Sequence, residues 1–61
     1  MSKELAKAIR VTADAYYRVR EMIEKDDGAK PERSRRLQRA VDALDARLEG
    51  LEDAYEILAR C

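Results

Sequence analysis

Histidine, tryptophan and phenylalanine are absent from this 61-residue sequence, and cysteine occurs once, as Cys61. Structural zinc sites are built from Cys and His, and one cysteine cannot close an internal disulfide, so neither device stabilises this fold. The lack of histidine also excludes a nucleophile–histidine couple, and we expect no catalytic residue, no metal site and no cofactor. We expect Cys61 to be an ordinary terminal thiol, with an intermolecular disulfide or a reactive thiol as the alternative.

Glycine and proline are nearly as scarce, and two of the three lie together in the middle of the chain. Gly28 can take the left-handed conformation that ends a helix, and Pro31 fits the first turn of the next helix. We therefore predict one domain, residues 1–61, with a helix at 2–26, a turn at 27–30 and a helix at 31–60. A connection this short makes the helices antiparallel neighbours, so the predicted fold class is an all-α helical hairpin.

Long apolar runs are also missing. No stretch approaches the 18 or more apolar residues of a membrane span, and the first ten residues lack the apolar core of a signal peptide. Lys plus Arg and Asp plus Glu both total 13, so no overall field favours an anionic membrane or a nucleic acid. These features predict a soluble, cytoplasmic protein without a membrane partner.

Apolar and small residues recur in steps of four and three in both predicted helices, which is the heptad pattern of packed helices. In the first helix this series is Leu5, Ile9, Thr12, Tyr16, Val19 and Ile23. In the second helix it is Leu37, Val41, Leu44, Leu48, Leu51, Tyr55 and Leu58. We refer to these two series together as the seam, and we expect them to pack against each other.

The first helix carries more apolar surface than one partner helix can cover. On a helical wheel its apolar arc is roughly 160° wide, whereas a surface helix needs only about 100°. A chain this short also seldom stabilises itself with one small core. We therefore predict a homodimer, packed as a four-helix bundle. The predicted face for self-association or a partner protein comprises Leu5, Ile9, Val11, Ala15, Tyr16, Tyr17, Val19, Met22 and Ile23.

Acidic residues dominate the later part of the second helix. Several are like-charged neighbours at i, i+4, a spacing that slightly destabilises an isolated helix. A basic partner surface would relieve that repulsion, and a solvated face is the alternative. This predicted acidic stripe comprises Asp42, Asp45, Glu49, Glu52, Asp53 and Glu56.

The start of the second helix is basic instead. The predicted basic patch comprises Lys30, Arg33, Arg35, Arg36 and Arg39. One interpretation is structural, with the arginines facing carboxylates and the negative dipole end of the first helix. The other is weak phosphate contact with RNA or DNA through charge alone. A basic leucine zipper is excluded, because it needs an uninterrupted helix ahead of its leucines and Gly28 and Pro31 interrupt this one.

These patterns favour a small non-enzymatic protein–protein interaction module, such as an adaptor, an inhibitor or an assembly factor, that acts as a homo-oligomeric hairpin. Weak nucleic-acid binding through the basic patch is the first alternative. A purely structural oligomerisation module is the second.

Overall fold

Two long helices joined by a short turn form the described structure. The computed structural model describes residues 2–60, in which α1 (Ser2–Lys25) and α2 (Pro31–Arg60) pack against each other and no strand occurs. The predicted all-α helical hairpin is thus confirmed. The prediction made for Cys61 lies outside the described residues. Neither helix combines the length and the apolar content that crossing a membrane requires.

The turn between the helices has the structure that Gly28 and Pro31 predict. Gly28 has a φ of 76°, a left-handed value that costs glycine little, and Pro31 is the first residue of α2. The Asp27 carboxylate accepts a hydrogen bond of 2.9 Å from the backbone N–H of Ala29. α1 ends one residue before the predicted boundary, because the backbone N–H of Asp26 bonds to the carbonyl of Ile23, at 3.2 Å, instead of continuing the helical pattern.

A side-chain contact ties the first turn of α2 back to the end of α1. The Ser34 hydroxyl donates a hydrogen bond to the carboxylate of Asp26. The backbone N–H of Ser34 donates to the carbonyl of Lys30 at 3.1 Å, which starts the hydrogen bonding of α2. A carboxylate at the positive N-terminal end of a helix is favourable, so Asp26 offsets part of the repulsion of the arginines there.

No ion pair connects the two helices within the described residues. Among residues 2–60, the one ion pair is Arg60 with Glu56, an i, i+4 contact within α2. The direct pairing that the charge pattern suggests between the basic start of α2 and the acidic end of α1 is therefore not formed. Long exposed side chains gain little from one fixed pairing, since an exposed ion pair contributes about 0–1 kcal/mol.

The core lies along the seam and is thin. Val41 and Thr12, at 8% and 7% exposure, are the two buried side chains among those described. The other seam residues are half-buried, except for Tyr55 and Leu58, which are exposed. α2 has 30 residues and α1 has 24, so the last turns of α2 have less of α1 to pack against.

The hairpin exposes far more surface than a compact protein of its mass. Its dimensions are 49 × 14 × 13 Å, and its accessible surface is 5243 Å² for 7.0 kDa. A typical folded monomer of this mass exposes about 4000 Å², so the surplus is about 1200 Å². One layer of contact between two helices accounts for this surplus.

Candidate protein-interaction face

A shallow apolar groove lies along the side of α1. It has a volume of about 510 Å³ and is lined by Val11, Asp14, Ala15, Arg18, Val19 and Met22. Val11 and Met22 are 57% and 49% exposed, although both are large apolar side chains. We call this feature the α1 groove. Four of its residues are apolar and its two charged residues have opposite signs.

The α1 groove and the seam lie on different sides of the same helix. At about 100° per residue, the mean direction of Val11, Ala15 and Met22 is about 100° from that of the seam residues. Each helix of a four-helix bundle contacts two neighbours, on sides roughly 90° apart. α1 therefore carries a second apolar side where a second neighbour would lie, and the hairpin fills only the first.

The predicted apolar face of α1 separates into three parts. Leu5, Ile9, Tyr16 and Ile23 are half-buried at positions of the seam. Val11, Ala15 and Met22 line the α1 groove, and Val19 belongs to both, since it is half-buried and also lines the groove.

Tyr17 forms the third part by itself. It is 60% exposed and lies about 140° around the helix from the centre of the groove. Its ring packs edge-on against the ring of Tyr16, with centroids 5.4 Å apart and planes at 74°. The guanidinium of Arg20 lies over the Tyr16 ring, 5.7 Å from its centroid, a cation–π arrangement. This aromatic cluster is separate from the α1 groove.

All six residues of the acidic stripe are exposed. Asp42 and Asp45 line a second groove, which lies between the helices and also includes Tyr16, Arg20 and Glu24. The side-chain amide of Gln38 donates a hydrogen bond of 3.1 Å to Asp42. Within residues 2–60, no cluster of three or more potential ligands is placed to hold a metal ion. The stripe can therefore offer negative charge to a partner, with Arg20 as a nearby positive group.

The basic patch is likewise exposed throughout. One shallow groove at the turn contains Lys30, Arg33 and Arg36, and a second contains Arg35, Arg36 and Arg39. Glu32 lines both grooves. None of these basic groups forms an ion pair with another described residue. They are therefore available for an anion, and Arg36 belongs to both grooves.

The groove between the helices, which contains Arg20, Glu24 and Gln38, was not predicted from the sequence. The i, i+4 spacing of Gln38 and Asp42 was a usable signal, since such pairs hydrogen-bond on a helix surface. The position of Arg20 over Tyr16 depends on a side-chain conformation that periodicity does not specify.

Comparison with known proteins adds no relative: no protein-family model matches the sequence, and no curated protein or solved structure matches it. The exposed surfaces of the hairpin are therefore the basis for a functional proposal.

Proposed function

We propose that this protein is a small, non-enzymatic protein–protein interaction module that acts as a homodimer of helical hairpins in the cytoplasm. The α1 groove is the self-association surface, and two hairpins joined there form a four-helix bundle. The acidic stripe remains exposed in this arrangement and is a docking surface for a basic protein partner.

The open α1 groove is the observation that carries this proposal. Val11 and Met22 are large, apolar and about half exposed on a side of α1 that α2 does not cover. The surface surplus of about 1200 Å² per chain exceeds the roughly 800 Å² that each partner buries in a standard interface. The hairpin therefore has enough surplus surface for an interface of standard size, and the α1 groove is an apolar part of that surface.

The double variant Val11→Glu, Met22→Glu tests the proposal. Each removed side chain contributes about 1 kcal/mol by partial burial, and the two-fold symmetry of a dimer counts every change twice. We expect the dissociation constant to rise at least about 100-fold. The measurement is sedimentation equilibrium over a concentration series with reductant present, and circular dichroism checks that the variant remains helical.

A matched control is Tyr17→Glu, Ile57→Glu. Both of its target side chains are exposed apolar residues, at 60% and 63%, and it changes the net charge by the same amount but lies outside the α1 groove. We expect it to dimerise like the wild type. A wild type that stays monomeric, or two double variants with equal effects, would contradict self-association through the α1 groove.

A separate experiment distinguishes an interaction module from a purely structural oligomerisation module. The acidic stripe distinguishes them, since only an interaction module uses it. If Glu49→Lys, Asp53→Lys leaves the dimer intact and abolishes capture of a lysine-rich probe peptide at physiological salt, the stripe acts as a docking surface. Capture of the peptide that is equally weak for the wild type and for this variant would assign the protein to the structural class.

A second candidate function is nucleic-acid binding through the basic patch, and the exposure of its four arginines without ion pairs within residues 2–60 favours it. A dimer would carry two such patches. Binding of this kind depends on phosphate contacts and so weakens steeply with salt.

The test is binding to a generic RNA and a generic DNA duplex between low and physiological salt. For Arg35→Gln, Arg36→Gln, Arg39→Gln on duplex DNA, we expect a shallower slope of log binding constant against log salt concentration. The slope should decrease in magnitude by about 0.9 for each phosphate that the variant no longer neutralises. The control Lys3→Gln, Lys7→Gln, Arg10→Gln removes three exposed charges from α1 and should leave the slope unchanged. If the wild type does not bind at low salt, this candidate is eliminated.

A further inference from the structure

The residues of the α1 groove are self-complementary when α1 meets a second α1 running in the opposite direction. With a two-fold axis near residues 16 and 17, Val11 of one chain lies opposite Met22 of the other. Ala15 lies near the middle, where its small side chain allows close approach. The large apolar residues at the two ends of the groove thus meet each other across the axis.

The charges of the groove obey the same symmetry. In this register Asp14 of each chain lies within about one residue, or about 1.5 Å along the axis, of the position facing Arg18 of the other chain. Both side chains are exposed and line the same groove, and neither forms an ion pair within its own chain among residues 2–60. We infer that the dimer is antiparallel, with α1 against α1 and two symmetric Asp14–Arg18 ion pairs along its rim. This inference rests on the proposed function.

A parallel pairing of the same surfaces would lose these ion pairs. Asp14 and Arg18 lie on one side of the groove, and in a parallel pair that side of one chain and that side of the other are at opposite edges of the interface, so Asp14 could not reach Arg18. A parallel pairing would also bring the two basic patches together at one end, whereas the antiparallel pairing places them at opposite ends. The charge pattern of the groove and that of the turn therefore select the same orientation.

Charge exchange at the rim tests the ion pairs. Asp14→Arg turns both contacts into Arg–Arg pairs, and we expect dimerisation to weaken roughly tenfold, as two exposed pairs change from attraction to repulsion. Asp14→Arg, Arg18→Asp restores opposite charges across the interface and should return the dissociation constant to within about threefold of the wild type. The control Glu24→Arg makes the same charge change four residues after an arginine, outside the groove, and should not weaken the dimer.

The orientation is measured independently with a spin label at Ala29→Cys in a Cys61→Ser background. Residue 25 lies about 13 Å along α1 from the proposed axis, so the two turns of an antiparallel dimer are at least about 26 Å apart. In a parallel dimer the two turns lie side by side. The distance between the labels is then about the 8–10 Å spacing of packed helices plus a roughly similar length for the labels themselves.

The outcomes separate this inference from the proposal beneath it. Suppose that Val11→Glu, Met22→Glu disrupts the dimer. A label distance below about 20 Å, or a dissociation constant that Asp14→Arg leaves unchanged, then overturns the antiparallel arrangement but leaves self-association through the groove intact. A monomeric wild type overturns both. A long label distance together with weaker dimerisation on single exchange and recovery on double exchange supports the antiparallel dimer.

Discussion

Replacing Val41 by Asp is expected to unfold the hairpin at room temperature. Val41 is the one buried apolar side chain of the described residues, at 8% exposure, and it lies in the seam opposite α1. A carboxylate buried there without a partner costs about 3–5 kcal/mol. A chain of this size rarely has more than about 3–5 kcal/mol of core stability in total. The folded fraction should therefore fall below one half.

The surroundings of Val41 offer the new carboxylate little compensation. The groove beside it contains Asp42, Asp45 and Glu24, which carry the same charge. Its one cationic group, Arg20, lies over the ring of Tyr16. Far-UV circular dichroism at several protein concentrations is the appropriate measurement, since dimerisation raises the apparent stability of any dimeric form.

Ala46→Asp is the matched control for this prediction. It places the same charge on an exposed position of α2. The cost there is the lower helix propensity of Asp, about 0.7 kcal/mol or less, and repulsion by Asp42 and Glu49, about 0.2–0.5 kcal/mol each. We expect this variant to remain folded. If the two variants melt at the same temperature, Val41 does not belong to the core of the hairpin in solution.

The fold was predictable because its determinants are local and periodic. Gly28 and Pro31 specify where the chain reverses, and the four-three spacing specifies the side of each helix that is buried. Thr12 was predicted as a polar member of the seam and is one of its two buried side chains. The boundary at residue 26 was missed by one residue, because the backbone of Asp26 bonds to Ile23 and its carboxylate receives the hydroxyl of Ser34.

The candidate site was predictable only in outline. Periodicity shows that the apolar arc of α1 is too wide for one partner, but it does not show how α2 divides that arc. The division places Tyr16 within the hairpin and leaves Val11 and Met22 outside. The exposed charges were the least predictable feature, since an exposed pairing contributes about 0–1 kcal/mol and many side-chain arrangements have nearly equal energies.

Substituting alanine at the two glycines is expected to change stability in opposite directions. Gly28 has a φ of 76°, and a Cβ in that left-handed conformation costs about 1–2 kcal/mol, so Gly28→Ala should destabilise the hairpin. Gly50 lies inside α2 with a negative φ, and apart from the adjoining helix backbone a Cβ there would meet no atom within 4 Å. Glycine in a helix interior costs about 1 kcal/mol relative to alanine, so Gly50→Ala should stabilise it.

Thermal unfolding of the two variants at one protein concentration measures this difference directly. For a domain of this size 1 kcal/mol corresponds to about 4–8 °C in Tm, so the two midpoints should differ by at least about 8 °C, with the wild type between them. Each variant is also the control for the other, since both make the same chemical change. Equal shifts would show that the left-handed conformation at residue 28 is not maintained in solution.

The direction of the stability change in Gly50→Ala also tests the arrangement of the dimer. In the proposed four-helix bundle α2 also has a neighbour from the other chain, but the usual 8–10 Å spacing of packed helices leaves room for a methyl group at residue 50. Gly50→Ala should therefore stabilise the protein equally at low and high protein concentration. Destabilisation that appears only at high concentration would mean that another chain contacts α2 closely at Gly50, because beyond the adjoining helix backbone no atom of the hairpin lies within 4 Å of the added Cβ. The α2 helices of the two hairpins would then pack more closely across the four-helix bundle than the 8–10 Å spacing that is usual for helices.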